Sequence, residues 1–286
     1  MRSVSSALLV FVLAVPVLAE QPTAIPFTTN PDGLVLVEAH AGDLPIQVIF
    51  DTGAGLDVLA PSIIEKLHGR PAGVFTGFRM TGERPDVQLF IIPSISVGPM
   101  VKHDALVGSW DVLDKFQLAG IISVNDFRST PFTFDFAKKQ LVFETPKSLR
   151  ARRAAGAASP LQFDDYRGIA LDLFSNFLIA GHPGRCEVDT GSPSATLSTR
   201  YMSLLGIATD APGVQKEEGR TITGAPETKY RATVPRLALA SAPAVVQPSP
   251  AVAFSDIIYD CVVGVDFWRD RALTFDTVHR NLIVSE

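Results

Sequence analysis

The chain has 286 residues, of which 47% are apolar, and its formal net charge is −5 at pH 7. Such a length allows two lobes of roughly 100 to 150 residues that each bury a core. The acidic balance excludes a general basic surface for nucleic acid, and the sequence contains no phosphate-binding loop or zinc-ligand spacing. We therefore expect a globular protein that binds no nucleic acid and needs no metal or cofactor.

The first nineteen residues have the pattern of a secretory signal peptide. Arg2 supplies a basic start, residues 7–17 form an apolar run, and Ala19 ends a small-residue cleavage site. The run is too short to span a bilayer comfortably. We expect export to a periplasm or to the cell exterior, with no membrane contact after cleavage. An uncleaved anchor is the open alternative.

Residues 20–145 contain short apolar segments separated by Gly and Pro, which predicts a first lobe built mainly of β-strands. An Asp-Thr-Gly-Ala string, Asp51 to Ala54, follows one of these segments, and residues 61–67 predict a short helix after it. A later Gly-bounded segment predicts a hairpin tip, with an ordinary surface turn as the alternative. The predicted strands are residues 34–37, 46–50, 89–92, 94–97 and 132–136, and the tip residues are Gly77, Phe78, Met80 and Gly82.

Residues 146–160 are rich in Ala, Arg and Lys and predict a solvated linker between lobes. A second lobe would then occupy residues 161–286. Within it, the Pro-rich segment 242–250 predicts a long surface loop.

The second half of the chain repeats the first. The string Asp189-Thr190-Gly191-Ser192 lies 138 residues after its first copy, and residues 199–205 align with the predicted helix at 61–67. Residues 133–135, Thr-Phe-Asp, recur at 274–276 with an offset of 141. A period this long exceeds the unit of a solenoid or propeller and predicts two homologous lobes. A second hairpin tip is predicted at the place equivalent to the first, and its residues are Thr221, Ile222 and Gly224.

Two acids in duplicated frames predict a paired-carboxylate site formed by Asp51 and Asp189. General acid–base hydrolysis at mild pH needs a base that deprotonates the attacking water and an acid that protonates the leaving group. Two close carboxylates that share one proton supply both, because like-charge repulsion separates their two titrations. Such a site needs no metal.

The two cysteines, Cys186 and Cys261, both lie in the second half of the chain. An oxidising compartment would permit them to form a disulfide. Two buried free thiols are the alternative, because the sequence does not supply the Cα separation that a disulfide requires.

The paired Asp-Thr-Gly-(Ala/Ser) strings, together with the later apolar-apolar-Gly segment Val262-Val263-Gly264, resemble aspartic proteases. The pattern is most similar to the bacterial retropepsin-like proteins, in which two retroviral-type lobes are fused in one polypeptide. The resemblance covers nearly all of the chain after the signal peptide. It implies an all-β fold of two acid-protease-like β-barrel lobes with few short helices and an active-site cleft between them.

The resemblance also implies roles for the residues around the acids. Thr52 and Thr190 would hydrogen-bond across the lobe junction, and Gly53 and Gly191 would let the backbone pass close to the carboxylates. The two hairpin tips would act as flaps that cover an extended peptide or protein substrate. A fused pair of lobes needs no second copy to complete its site, so we expect a monomer.

The two copies of the motif differ at the residue that follows Gly. Ser192 could donate a hydrogen bond to Asp189, whereas Ala54 has no side chain to do the same for Asp51. Because hydrogen bonds to a carboxylate favour its charged form, we expect Asp189 to ionise more readily and Asp51 to hold the shared proton.

One departure from the family pattern leaves a second function open. In the first half the apolar-apolar-Gly segment is replaced by Ile121-Ile122-Ser123. The sequence therefore predicts an exported aspartic endopeptidase, with a catalytically silent peptide-binding or envelope scaffold protein of the same fold as the alternative. A dinucleotide-binding turn, a metal site and a serine hydrolase are disfavoured, because the sequence has no complete glycine fingerprint, no histidine ligand spacing and no Gly-x-Ser-x-Gly elbow.

Overall fold

The computed structural model describes residues 21–286, so the predicted signal peptide at residues 1–19 lies outside the described part of the chain. Within residues 21–286 the protein is mostly β-strand with four short α-helices, and the predicted all-β, two-lobed fold is confirmed. None of the helices in the described region is long and apolar enough to cross a membrane.

The first lobe is an eight-stranded sheet in the order β2-β3-β4-β9-β5-β8-β7-β6, and an additional β3–β7 pairing curls it on itself. Alternate residues of β3, including Val35, Val37 and Ala39, are buried in its core, as expected for a strand with one solvated face. The elements of the first half are β1 (Thr23–Pro26), β2 (Thr28–Thr29), β3 (Val35–Ala41), β4 (Leu44–Phe50), β5 (Val58–Leu59), α1 (Pro61–Lys66), β6 (Arg70–Thr76), β7 (Asp86–Val97), β8 (Met100–Ser109), α2 (Val112–Lys115), β9 (Gly120–Ile122), a 3₁₀ turn (Asn125–Phe127), β10 (Phe132–Asp135), β11 (Gln140–Phe143) and α3 (Pro146–Ala155).

The second lobe is a ten-stranded sheet with the main order β17-β18-β21-β16-β22-β15-β14-β19-β20, in which β13 also pairs with β14. Its elements follow the same sequence of strand, Asp loop, short strand and short helix as those of the first lobe. They are β12 (Ala157–Pro160), β13 (Gln162–Tyr166), β14 (Ala170–Ile179), β15 (His182–Val188), β16 (Thr196–Ser198), α4 (Arg200–Leu204), β17 (Gln215–Arg220), β18 (Pro226–Thr233), β19 (Arg236–Leu239), β20 (Ala242–Pro248), β21 (Ala251–Ser255), β22 (Cys261–Val263), a 3₁₀ turn (Val265–Phe267), β23 (Ala272–Asp276) and β24 (Asn281–Ser285).

A six-stranded sheet in the order β1-β11-β10-β23-β24-β12 joins the two halves. At its centre β10 and β23 are antiparallel, and Thr133 lies directly opposite Thr274 with 2.7 Å between their hydroxyl oxygens. The rings of Phe132 and Phe275 stack beside them at a centroid distance of 5.0 Å. The two copies of the repeat therefore meet at equivalent residues, which gives the molecule an approximate twofold axis.

The segment predicted as a solvated linker, residues 146–160, forms helix α3 and strand β12. A capping box between Thr145 and Ser148 starts the helix, and β12 then pairs with β24 at the edge of the six-stranded sheet. The basic residues of α3 reach buried acids, since Arg152 contacts Glu144 at 3.0 Å and Arg153 contacts Asp276. The connection is thus packed against the sheet.

The prediction of a surface loop at residues 242–250 is wrong. Most of this segment is strand β20, which pairs with β19 from Arg236↔Pro248 to Leu239↔Ala242. Proline cannot donate a ladder hydrogen bond, so it is tolerated in a strand mainly at a sheet edge. Strand β20 is an edge strand, which explains how a Pro-rich sequence can form it.

Candidate active site

Each Asp-Thr-Gly string follows a buried strand at the junction of the lobes. Phe50 and Val188, the residues before the two acids, are fully buried. The amide of Asp51 donates to the carbonyl of Ile122 at 2.9 Å, and the amide of Asp189 donates to that of Val263 at 3.0 Å. The same strand pairing therefore supports both Asp loops, and the fold brings together two acids that are distant in sequence.

Thr52 and Thr190 bind the two loops to each other. The amide of Thr52 donates to Thr190 Oγ1 at 3.0 Å, and the amide of Thr190 donates to Thr52 Oγ1 at the same distance. Each hydroxyl then donates across the junction, Thr52 Oγ1 to the carbonyl of Val188 at 2.6 Å and Thr190 Oγ1 to that of Phe50 at 2.9 Å. Both threonines are fully buried. These four hydrogen bonds fix the relative position of the loops with little freedom.

Gly53 and Gly191 lie where the opposite carboxyl group leaves no room for a side chain. A Cβ placed on Gly53 would come within 2.5 Å of Asp189 Cγ, and a Cβ on Gly191 would overlap the carboxyl group of Asp51 in the same way. Close approach of the backbone therefore explains why both positions hold glycine.

The two carboxyl groups lie close enough to repel each other, and each accepts hydrogen bonds from the loop that carries it. Asp51 Oδ1 accepts the amides of Gly53 at 2.8 Å and Ala54 at 3.1 Å, and Asp189 Oδ1 accepts that of Gly191 at 2.7 Å. Burial, and then the charge of Asp189, raise the pKa of Asp51 well above its ordinary value. The pair therefore keeps a proton to a higher pH than an isolated aspartate would.

The contacts beside the two acids differ from those expected from the sequence. Within residues 21–286 no hydrogen bond joins the Ser192 hydroxyl to Asp189, whereas the Ala54 amide donates to Asp51. The side chain of residue 192 therefore gives no support to the predicted assignment of the shared proton.

Above the acids lies a cavity of about 920 Å³ between the lobes. Both predicted hairpin tips reach it, one from the β6–β7 hairpin and one from the β17–β18 hairpin. The predicted tip residues divide into two groups. Gly77, Phe78, Met80 and Ile222 line the cavity. Gly82, Thr221 and Gly224 form the turns, with positive φ angles of 82° at Gly82 and 93° at Gly224 that favour glycine.

The two tips meet across the cavity. Glu83, in the first tip, accepts hydrogen bonds from Thr221 Oγ1 at 3.2 Å and from the hydroxyl of Thr223. The carbonyl of Met80 accepts the amide of Ile258, in the second lobe, at 2.8 Å. Glu83 was not identified from the sequence, because a single acid in a polar turn is not distinguished from an ordinary solvated residue. The structure therefore has a closed roof over the paired acids.

The unusual Ser123 of the first lobe is accommodated by another residue that the sequence did not indicate. Asp57 is buried, and its Oδ1 accepts the amide of Ser123 at 2.7 Å. Gly264, at the equivalent place in the second lobe, packs so closely on the Asp loop that a Cβ there would lie 2.8 Å from the nitrogen of Ser194. Burial, and then the charge of Asp126, raise the pKa of Asp57 to about 8. In the first lobe the hydrogen bond between Ser123 and the carboxyl group of Asp57 thus replaces the close backbone packing that Gly264 makes in the second lobe.

Cys186 and Cys261 form a disulfide in the wall behind Asp189. They are directly opposite each other on the parallel strands β15 and β22, with a Cα–Cα distance of 4.5 Å, and both are fully buried. The sequence left this pairing open, and the register of the two strands decides it.

Two further acids of the second lobe face the cavity beside the pair. Asp172 on β14 and Glu187 on β15 are both buried, and Tyr166 and Tyr259 lie next to them. Glu187 precedes Asp189 by two residues, which places both on one face of an extended strand. That alternation was a usable sequence signal, but it was missed. No group of three or more potential metal ligands is present among residues 21–286.

No model of a known protein family matches the chain, and no curated protein sequence is similar to it. Solved structures with the same fold include the crystal structure of basic 7S globulin from soybean, which has 10% sequence identity and a TM-score of 0.56, with 92% of this chain and 94% of that chain covered. Conglutin gamma, a basic 7S globulin from lupine seeds, has 8% identity and a TM-score of 0.55, with 93% and 95% covered. These similarities establish the two-lobed fold over nearly the whole chain.

Proposed function

We propose that this chain is an exported aspartic endopeptidase of the retropepsin-like type, in which Asp51 and Asp189 activate a water molecule. The observation that carries the proposal is the close pair of carboxyl groups held by reciprocal threonine bonds at the floor of a roofed cleft. A binding protein has no physical need to hold two carboxyl groups in mutual repulsion. The likeness to a retroviral-type arrangement rests on the two flaps, one from each lobe.

In the proposed mechanism the two acids have different roles. Asp189 in its ionised form accepts a proton from the water as the oxygen attacks the substrate carbonyl carbon, and Asp51 donates its proton to the developing oxyanion. Asp189 then donates the proton that it took from the water to the leaving nitrogen, a hydroxyl group of the tetrahedral intermediate returns a proton to Asp51, and the C–N bond breaks. The closed flaps exclude bulk water and hold the substrate in an extended conformation.

The substrate would be an extended segment of a peptide or protein, bound by a monomer, because one chain supplies both acids and both flaps. Export to a periplasm or the cell exterior is part of the proposal. The buried disulfide supports it, since disulfides persist in oxidising compartments. No nucleic acid or membrane partner is proposed.

Cleavage of a peptide library between about pH 3 and 7, with wild type, Asp51→Asn and Asp189→Asn, tests the proposal. We expect wild-type cleavage that pepstatin inhibits and that both substitutions abolish. Asn keeps the size and the backbone hydrogen bonds of each residue, so loss of activity reports loss of proton transfer. Cleavage that persists in either variant contradicts the mechanism.

A catalytically silent peptide-binding or envelope scaffold protein is the second candidate, favoured by the altered turn at Ser123 and Asp57. It predicts no cleavage by wild type and equal peptide affinity in wild type and Asp51→Asn. A peptide-binding measurement by fluorescence polarisation on the two proteins separates the candidates.

A further inference from the structure

The backbones of the two cleft walls are related by the approximate twofold symmetry, but the side chains at equivalent positions differ in polarity. In the first lobe Leu36 pairs with Ile49, two residues before Asp51. In the second lobe Phe174 pairs with Glu187, two residues before Asp189. Glu187 therefore occupies the place that Ile49 occupies in the other wall.

The same correspondence relates a second pair of positions. Leu34 lies two residues before Leu36, and Asp172 lies two residues before Phe174, so Asp172 replaces Leu34. Leu34 and Ile49 of the first wall, and Asp172 and Glu187 of the second, line the cavity above the paired acids. The pocket beside Asp51 is apolar at both positions, and the pocket beside Asp189 is acidic at both.

The two acids of the second wall are buried and largely uncompensated. Glu187 is only 5% exposed and, within residues 21–286, takes part in no hydrogen bond or ion pair, although it faces the cavity. Asp172 is 9% exposed, and the hydroxyl groups beside it are those of Tyr166 and of Tyr259, the latter at 3.5 Å. Burial of a carboxylate without a cationic partner is strongly unfavourable. A group left in that state beside a catalytic pair is a candidate for binding a substrate.

Cations of the protein do not fill this pocket. Arg185 lies on the same face of β15 but binds Asp164 at 2.8 Å and Gln162 at 2.7 Å, and its guanidinium packs on the ring of Phe174 at 3.8 Å. Arg79 is the basic residue of the cavity lining within the described part of the chain, and it belongs to the flap, where it contacts Glu83 at 3.5 Å. The remaining acids of the lining, apart from the catalytic pair, are at the solvent-exposed rim; they are Asp32, Asp86 and Asp111.

We propose that Asp172 and Glu187 form a subsite for the lysine or arginine side chain of a substrate residue that flanks the scissile bond. Leu34 and Ile49 form the apolar subsite on the other side. This inference rests on the proposed peptidase function and names its substrate class, which is a peptide with a basic residue on one side of the cleaved bond and an apolar residue on the other. A bound ammonium or guanidinium group supplies the positive charge that the buried carboxylates lack, and the Tyr259 hydroxyl remains with Asp172.

The electrostatics of the pocket support this assignment. Burial raises the pKa of Asp172 to about 6 and raises the pKa of Glu187 well above its ordinary value. A bound cation favours the ionised form of both, so the preference for a basic residue should increase as the pH rises through about 6. The charged and titratable groups around the two acids are Asp51, Asp164, Tyr166, Arg185, Asp189 and Tyr259.

The test uses peptide pairs that differ only in lysine or norleucine at the position that flanks the cleaved bond, with the product ends identified by mass spectrometry. Wild type should cleave the lysine peptide with the higher kcat/KM, and Glu187→Gln should reduce the lysine-to-norleucine ratio about thirty-fold or more. Glu187→Ile, which copies Ile49, should reverse the preference. Asp172→Asn provides an independent variant if a Glu187 variant does not fold.

Asp111→Asn is the control, because it removes an acid from the exposed rim of the same cavity. If Asp111→Asn lowers the ratio as much as Glu187→Gln, the preference comes from the general negative field, and the subsite proposal is wrong. A ratio that Glu187→Gln and Asp172→Asn leave unchanged also overturns it.

Binding to the Asp51→Asn protein separates failure of this proposal from failure of the proposed function. Suppose that wild type cleaves neither peptide, that the lysine peptide nevertheless binds more tightly than the norleucine peptide, and that Glu187→Gln abolishes this difference in binding. That result overturns the peptidase proposal and supports the subsite proposal. Equal or absent binding of both peptides to Asp51→Asn overturns the subsite.

Discussion

The reciprocal threonine bonds allow a quantitative prediction for Thr190→Val. Valine has the shape of threonine without the hydroxyl group, so the substitution removes two hydrogen bonds and changes little else. The Thr52 amide loses its hydrogen-bond acceptor, and the Phe50 carbonyl loses its hydrogen-bond donor. Both threonines are fully buried, so water cannot replace the lost hydroxyl without displacing neighbouring atoms.

The expected cost follows from these two losses. A buried polar group left without its partner costs about 1–3 kcal/mol, so two such groups predict a loss of about 2–6 kcal/mol in the free energy of unfolding. Thr52→Val removes the equivalent pair of bonds in the other loop and should cost nearly the same. Activity should fall as well, because the loops that carry the acids would lose their fixed relative position.

Urea unfolding of the full chain, followed by tryptophan fluorescence, measures the loss. Thr209→Val is the matched control, because Thr209 is exposed and its hydroxyl has no hydrogen-bond partner within residues 21–286. The control should change stability by less than about 0.5 kcal/mol. A loss below about 1 kcal/mol for Thr190→Val, or a loss equal to that of the control, would refute the argument that these bonds hold the lobes in register.

Three other predictions concern the surroundings of the site. Because the pKa of Asp57 is raised in the folded state, its protonated carboxyl group stabilises the fold below pH about 4, and this contribution is lost as the pH rises towards about 8. The unfolding free energy of wild type should therefore decrease over that range, and Asp57→Asn should make the decrease smaller. An unchanged pH dependence in urea titrations contradicts this. Replacing both Cys186 and Cys261 by alanine should lower the unfolding free energy by about 4 kcal/mol, and a variant as stable as oxidised wild type would show that the bridge does not constrain the chain. Gly191→Ala should abolish peptide cleavage with the circular dichroism spectrum retained, whereas Gly219→Ala, where a Cβ meets open space, should leave both unchanged; cleavage by Gly191→Ala at the wild-type rate would contradict the close approach.

The features that the sequence predicted are those that the repeat encodes. Equivalent residues of two homologous lobes lie at equivalent places, so the offset of 141 between Thr133 and Thr274 anticipates their pairing at the centre of the joining sheet. The two Asp-Thr-Gly strings anticipate the meeting of Asp51 and Asp189 for the same reason. Alternation of apolar residues was sufficient for the strands, because one face of each is buried and the other is solvated.

The features that the sequence did not predict depend on register and on sheet position. The positions of Glu187 and Asp172 in the cleft become apparent only when β14 and β15 are aligned with β3 and β4. That alignment is set by strand pairing. The Pro-rich strand β20 was taken for a loop because the rule against proline in strands weakens at a sheet edge, and edges are not visible in one sequence. Asp57 was missed because its partner Ser123 is 66 residues away.

The joining sheet also determines what a single cut in the chain would do. Each half contributes three of its six strands, and α3 lies on the boundary between them. Cleavage within α3 would produce two fragments. Each would carry one of the two paired acids, one of the two threonines that join the loops, and one flap, so neither would have a complete site. Contacts that are intramolecular in the intact chain would then become an association between two molecules, with activity that depends on their concentrations. The two halves of this one polypeptide are therefore arranged like the subunits of a dimer. Because both halves belong to one chain, their sequences need not be identical, and the two walls of the cleft can carry different side chains.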